Sequence, residues 1–75
     1  MRELIEFIAK SLVSNPEAVK ITESDEESRK VFKLEVAPED KGKVIGRQGR
    51  VAHAIRVLLR VAAVKEGARA SLEIV

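Results

Sequence analysis

Apolar and polar residues alternate along this chain with two different periods. Between Arg2 and Ser14 the apolar residues recur every three or four positions, which predicts an amphipathic helix with one apolar face. Residues 18–22 and 31–36 alternate with a period of two, which is typical of short strands. The polar, acidic stretch 23–28 between them predicts a loose turn. The first half of the chain is therefore expected to form a helix followed by an antiparallel hairpin.

Glycines punctuate the second half of the chain. A helix that begins at Glu39 and Asp40 can only be short, because Gly42 and then Gly46-Arg47-Gln48-Gly49 interrupt the chain. A long helix is predicted from Arg50 to about Glu66, and it ends before Gly67, the residue expected just past a helix C-terminus. Residues 70–75 alternate again and predict a third strand that pairs back into the sheet.

The predicted order is α-β-β-α-α-β, which is an α+β domain with helices packed on one face of a three-stranded sheet. We expect residues 1–75 to form a single domain with an aliphatic core, since the chain holds only two aromatic residues. It has no cysteine, so neither a disulfide nor a thiolate zinc site is expected to support the fold. No apolar run reaches the roughly 18–20 residues of a membrane span, and the N-terminus does not resemble a signal peptide. A cytoplasmic location is expected.

The charges are distributed unevenly. The formal net charge is +2, but residues 41–60 hold six basic residues and no acidic one. The rest of the chain therefore carries −4. Such a division predicts one basic surface on an otherwise acidic domain. The six basic residues are Lys41, Lys43, Arg47, Arg50, Arg56 and Arg60.

Two glycines flank two polar residues in the sequence Gly46-Arg47-Gln48-Gly49. Glycine permits tight backbone geometry and lets a ligand approach the main chain closely. Because the long helix begins directly after Gly49, its unpaired N–H groups are expected to face the same loop. Arg47 and Arg50 add positive charge there. The backbone of a polyanion fits such a site.

This stretch resembles the signature of the KH domain, whose G-x-x-G loop joins two helices and clamps about four nucleotides of a single strand. The match includes the aliphatic pair Val44-Ile45 before the loop and the apolar residues Val51 and Ile55 after it. The element order is that of a type II KH domain and uses the whole chain. A chain of this size is similar to the small bacterial RNA-binding proteins of the KhpA type.

The resemblance implies a single-stranded RNA ligand, bound with little sequence specificity, and a role as an RNA chaperone or post-transcriptional regulator. It implies no cofactor, no metal and no small-molecule substrate. The loop and its neighbours would contact the sugar-phosphate backbone: Lys43, Gly46, Arg47, Gln48, Gly49 and Arg50. An aliphatic groove would hold the bases: Val36, Val44, Ile45 and Ile55.

The long helix has three predicted sides, assigned at 100° per residue. A basic side would extend the phosphate-facing surface: Arg50, His53, Arg56 and Arg60. A core side lies opposite: Val51, Ile55, Leu58 and Ala62. An apolar shoulder lies between them: Ala54, Val57, Val61 and Val64. We expect Val57, Val61 and Val64 to form a partner interface, because such proteins are described as self-associating or pairing with a larger KH-containing protein of the KhpB (Jag) type. Simple core packing is the alternative.

Other functions find less support in the residues. The glycine spacing G-x-x-x-G-x-x-G differs from that of a dinucleotide-binding loop. The acidic residues 23–27 lack the spacing of a calcium loop. No nucleophile–base or paired-carboxylate arrangement indicates an enzyme. The alternative for Arg56, Arg60 and His53 is that their side chains face solvent and bind no ligand. A protein-interaction adaptor that keeps a KH scaffold is the rival hypothesis for the whole domain.

Overall fold

Three helices pack on one face of a three-stranded mixed sheet in the computed structural model, which describes residues 1–75. The predicted fold class and element order are confirmed. Short 3-10 turns cover Pro16–Ala18, Pro38–Asp40 and Arg47–Gly49. The helices and strands are α1 (Arg2–Leu12), β1 (Lys20–Glu26), β2 (Arg29–Glu35), α2 (Lys41–Ile45), α3 (Arg50–Lys65) and β3 (Arg69–Ile74).

The hairpin of β1 and β2 is longer and tighter than the sequence pattern predicts. Seven residue pairs lie opposite one another, from Lys20 with Glu35 to Glu26 with Arg29. Glu27 and Ser28 form a two-residue turn in which both backbones have positive φ, +50° and +66°. A turn with positive φ at both central positions matches the twist of the strands it joins. The expectation of a loose tip is therefore wrong. The outer half of β1 was not predicted as a strand because it is exposed on both faces beyond Ile21 and shows no alternation of apolar and polar residues.

The central strand of the sheet is β2, which pairs antiparallel with β1 and parallel with β3. A parallel neighbour requires a long crossover, and α2 and α3 supply it. The opposite face of the sheet carries no helix and exposes side chains such as Thr22, Lys33 and Glu73. Both β1 and β3 are edge strands.

The core lies between the sheet and the helices and is aliphatic apart from one aromatic residue. Phe32 and Leu34 of β2 are its most buried strand residues. The core cluster comprises Ile5, Ala9, Ile21, Phe32, Leu34, Val36, Val44, Ile55, Leu59 and Leu72.

None of the helices has the length and apolar character that crossing a bilayer requires.

The buried side of α3 differs from the predicted one. Leu58 was expected in the core, but its side chain is 48% exposed, whereas Leu59 is buried. Apolar residues cover more than half of this helix, so periodicity alone does not indicate which part of the apolar surface meets the sheet. The residues that do are spaced three and four apart: Ala52, Ile55, Leu59 and Ala63.

Helix α1 ends at Leu12, two residues before the predicted end. Val13 is already extended, and the backbone N–H groups of Ser14 and Asn15 turn toward the carboxylate of Asp40. The chain just after α1 is therefore held by Asp40, which lies 26 positions beyond Ser14 and 25 beyond Asn15, as well as by the local sequence.

Candidate nucleic-acid interface

The loop between α2 and α3 consists of Gly46–Gly49 and has an unusual backbone. Three of its four residues have positive φ: Gly46 (+76°), Gln48 (+58°) and Gly49 (+74°). Gly46 combines this φ with a ψ of 173°, a region that essentially only glycine occupies. The loop thus has a specific conformation that its two glycines make possible.

Gly46 is required for a second reason, which is its close approach to Val51. A Cβ atom at position 46 would lie 2.5 Å from Cγ2 of Val51 and 2.9 Å from its backbone nitrogen. Gly49 has open space around the same position, so only its left-handed φ favours glycine. The first glycine packs the loop against α3, and the second starts the helix.

Positive charge surrounds this loop without an internal counter-charge. Arg47, Gln48 and Arg50 are all exposed, and none of the seven arginines of the chain is in an ion pair. Nη2 of Arg50 donates a 3.4 Å hydrogen bond to Oε1 of Gln48. No side chain caps the N-terminus of α3, but the backbone N–H groups of Gly46, Gly49 and Arg50 donate to the backbone oxygens of Gly42, Gly46 and Arg47. The loop can therefore offer the two guanidinium groups of Arg47 and Arg50 to an anion.

Lys43 differs from the other basic candidates because its charge is already engaged. Its Nζ atom lies 3.4 Å from Oδ1 of Asp40 and donates a hydrogen bond to Oγ of Ser14. The side chain is partly exposed. Lys43 therefore holds the last turn of α2 to the end of α1, and its positive charge is offset inside the domain.

Asp40 is the only buried charged residue of the chain. Its two carboxylate oxygens accept hydrogen bonds of 3.1 Å from the N–H groups of Ser14 and Asn15. The pKa of Asp40 is lowered by these two bonds, most strongly by the one from Ser14, and by Lys43, despite the opposing effect of burial. The carboxylate thus joins the end of α1 to the beginning of α2, the helix that carries the loop. Sequence reasoning noted only an acidic helix start here, since the partner N–H groups are distant in the chain.

The four aliphatic candidates separate into buried and exposed residues. Val36, Val44 and Ile55 belong to the core and offer almost no surface to a ligand. They support the loop and its helices from beneath. Ile45 is 38% exposed at the end of α2, directly before the loop. Among the four, direct contact with a base is therefore available to Ile45.

The predicted basic side of α3 divides in the structure. Arg50 and His53 are exposed within the first turns after the loop. Arg56 turns toward the edge of the sheet, where its Nε atom donates a 3.3 Å hydrogen bond to the backbone oxygen of Leu72 in β3. Arg60 lines grooves beside β3. The last two residues therefore face the edge of β3.

Val57, Val61 and Val64 form an exposed apolar strip on α3, here called the valine face. The exposed fraction rises to 52% at Val61 and 71% at Val64. Leu58 and Ala54 lie beside them and are also exposed. The alternative that these valines pack in the core is therefore wrong within one copy of the chain.

Comparison with known proteins shows which family the sequence matches. The family model described as "KhpA/KhpB, KH domain" matches residues 2–74. A protein of Clostridium acetobutylicum named "RNA-binding protein KhpA" is 52% identical over 75 residues and is covered, like this chain, over its full length. A protein of the same name from Caldanaerobacter subterraneus subsp. tengcongensis is also 52% identical over 75 residues, again with both chains fully covered. Another from Borreliella burgdorferi is 49% identical over 72 residues, which is 96% of this chain and 88% of the relative. No solved structure matches the chain.

Proposed function

Because the chain belongs to the KhpA/KhpB family of KH domains, we propose that it binds single-stranded RNA and clamps the sugar-phosphate backbone at Gly46–Gly49. The observation that carries this proposal is the loop itself: three positive φ angles, a glycine packed against Val51, and exposed arginines without an ion pair on either side of Gln48. The relatives' name supports RNA as the ligand.

The clamp acts mainly through the main chain. The glycines have no side chains to keep a phosphate away from the main chain. Because the N–H groups of Gly46, Gly49 and Arg50 already donate within the chain, the amides of Arg47 and Gln48 are the proposed donors. Arg47 and Arg50 supply charge, and Ile45 supplies an apolar contact for a base. Contacts to phosphate and sugar position a strand but carry no sequence information. Low sequence specificity follows from this division of contacts.

The affinity is expected to be modest and to depend on salt. A clamp of four nucleotides offers about three phosphate contacts, which corresponds to a slope of about −2 in log affinity against log salt concentration for a single strand. We further propose that the protein serves as an RNA chaperone or post-transcriptional regulator in the cytoplasm, where a sequence-tolerant clamp would meet many transcripts.

The clamp is tested with the double variant Arg47→Asp and Gln48→Asp. It places two carboxylates where phosphate is expected, so the affinity for single-stranded RNA should fall at least about tenfold. The circular-dichroism spectrum and Tm should stay close to those of the wild type, since both side chains are exposed. Arg2→Asp with Thr22→Asp makes the same change of charge at exposed positions outside the loop and serves as the control. Wild-type affinity in the folded loop variant would exclude the clamp.

Protein association through the valine face is a second candidate function. The observation that favours it is an apolar strip of three exposed valines, together with the exposed Leu58, on a domain of only 75 residues. A second copy of this chain, or a larger KH-containing protein of the KhpB type, is the proposed partner. Association of two domains would place two clamps on one RNA and raise the apparent affinity through effective concentration.

A further inference from the structure

A second cluster of arginines lies at the end of α3 that is remote from the loop. Arg60 on α3, Arg69 at the start of β3 and Arg29 at the start of β2 line one groove of about 420 Å³. No acidic side chain lines this groove, and none of the three arginines is in an ion pair. The arginine groove, as we call it, is completed by Ala63, Val64, Ala68, Ala70 and Ser71.

The arginine groove has the composition that a single strand of nucleic acid requires. Its lining combines guanidinium groups with small apolar side chains, chiefly alanines. Guanidinium groups bind phosphate bidentately and also stack on bases. Arg29 and Arg69 also line a second groove, on the outer face of the sheet, together with Glu26, Glu27 and Glu73. Arg29 and Arg69 therefore lie at the boundary between the arginine groove and the acidic hairpin tip, and Arg60 lies on the basic side of it.

A path of positive charge connects the arginine groove to the loop. A smaller groove of about 140 Å³, lined by Arg56 and Arg60, lies beside α3 and shares Arg60, Ala70 and Ser71 with the arginine groove. From Arg50 to Arg60 the helix rises about 15 Å. A strand with the stacked rise of about 3.4 Å per nucleotide covers that distance in four or five nucleotides, and a more extended strand covers it in fewer.

We propose that the arginine groove binds a second segment of the same RNA strand, within about five nucleotides of the segment held at Gly46–Gly49. This inference rests on the proposed function, since the loop supplies the first contact. An RNA of five nucleotides is too short to reach both places, whereas one of twelve reaches both. The domain therefore binds the longer RNA more tightly through Arg60 and Arg69.

The test compares oligouridylates of five and twelve nucleotides on the wild type and on the variant Arg60→Glu with Arg69→Glu. The variant should bind the twelve-nucleotide RNA about tenfold more weakly and the five-nucleotide RNA within about twofold of the wild type. Loss of two phosphate contacts should also reduce the salt slope for the longer RNA by about 1.4. For each RNA, the affinity of the variant is compared with that of the wild type, because a longer RNA offers more binding registers and so binds any of these proteins more tightly. Arg2→Glu with Lys20→Glu is the charge-matched control at exposed positions elsewhere.

NMR amide shifts locate the contact directly in the wild-type protein. Backbone amides of Ala63 and Ser71 should shift with the twelve-nucleotide RNA and not with the five-nucleotide one. The proposal would be overturned if the variant lost affinity equally for both RNAs or bound the longer RNA like the wild type. It would also be overturned if the amides of Ala63 and Ser71 shifted with polyglutamate, an acidic peptide, but not with RNA. Failure of the clamp would have a separate signature, since the Arg47→Asp, Gln48→Asp variant would then bind the five-nucleotide RNA like the wild type.

Discussion

The ammonium group of Lys43 lies 3.4 Å from the buried carboxylate of Asp40, and the pair joins α2 to the end of α1. One of the six basic residues in 41–60 is therefore neutralised within the domain. The arginines of the loop have no such partner. The charge available to a phosphate at the loop consequently belongs to Arg47 and Arg50.

Replacing Lys43 should affect RNA binding less than replacing Arg47. For Lys43→Gln we expect an affinity for single-stranded RNA within about twofold of the wild type, because the lost charge was already paired. Arg47→Gln removes one unpaired charge and should weaken binding about fivefold, roughly the contribution of one charge-assisted contact. Fluorescence anisotropy at a fixed 0.1 M salt measures both variants. An equal loss of affinity in the two variants would show that Lys43 breaks its ion pair with Asp40 and itself contacts RNA.

The stability of the fold should depend on the ionisation of Asp40. Its pKa is lowered by the N–H groups of Ser14 and Asn15 and by Lys43, so the ionised carboxylate stabilises the folded state. This contribution is present above the unfolded pKa of about 3.9 and is lost as the pH falls through the lower folded pKa.

Asp40→Asn should lower Tm by about 5–10 °C at pH 7, because the NH2 group that replaces one carboxylate oxygen cannot accept the N–H bond made to that oxygen. The difference in Tm between wild type and variant should shrink below about pH 4, in thermal scans from pH 7 to pH 2.5. Glu39→Gln, at an exposed neighbour without a hydrogen-bond partner, is the control. A difference that stays constant down to pH 2.5 would show that the charge of Asp40 does not contribute.

Three glycines near the loop should respond differently to alanine. Gly42 lies in α2 with open space around it, so Gly42→Ala should stabilise the fold by about 0.5–1 kcal/mol. Gly49→Ala should cost about 1–2 kcal/mol for the left-handed φ alone. Gly46→Ala adds the overlap with Val51 and should cost about 3 kcal/mol or more. Urea unfolding gives all three values, and equal costs at 46 and 49 would contradict the close approach to Val51.

The valine face should control self-association. Val61→Asp places a charge in the middle of the strip, so a wild-type dimer should shift toward monomer in sedimentation-velocity experiments. Phe7→Asp is the control, because Phe7 of α1 is 72% exposed and lies outside the strip. A wild type that sediments as a monomer at millimolar concentration would leave the valine face without a self-association role.

The features that the sequence predicted correctly depend on local periodicity or on glycine. The apolar spacing within α1 and α3 requires helices, and Gly46 and Gly49 mark the loop because no other residue adopts that backbone easily. Strand β1 was predicted too short because part of it shows no local periodicity. Its outer half is exposed on both faces, so no alternation of polarity marks it.

The order of elements, the G-x-x-G loop and the aliphatic nature of the core were thus determined by the sequence alone, because each follows from neighbouring residues in the chain. Tertiary structure decided which side of α3 is buried, that Leu59 and not Leu58 meets the sheet, and that Asp40 engages Lys43 and the end of α1. It also brought Arg29, Arg60 and Arg69 to one groove. These relationships join residues far apart in the chain, and only the packing of helices on the sheet brings them together.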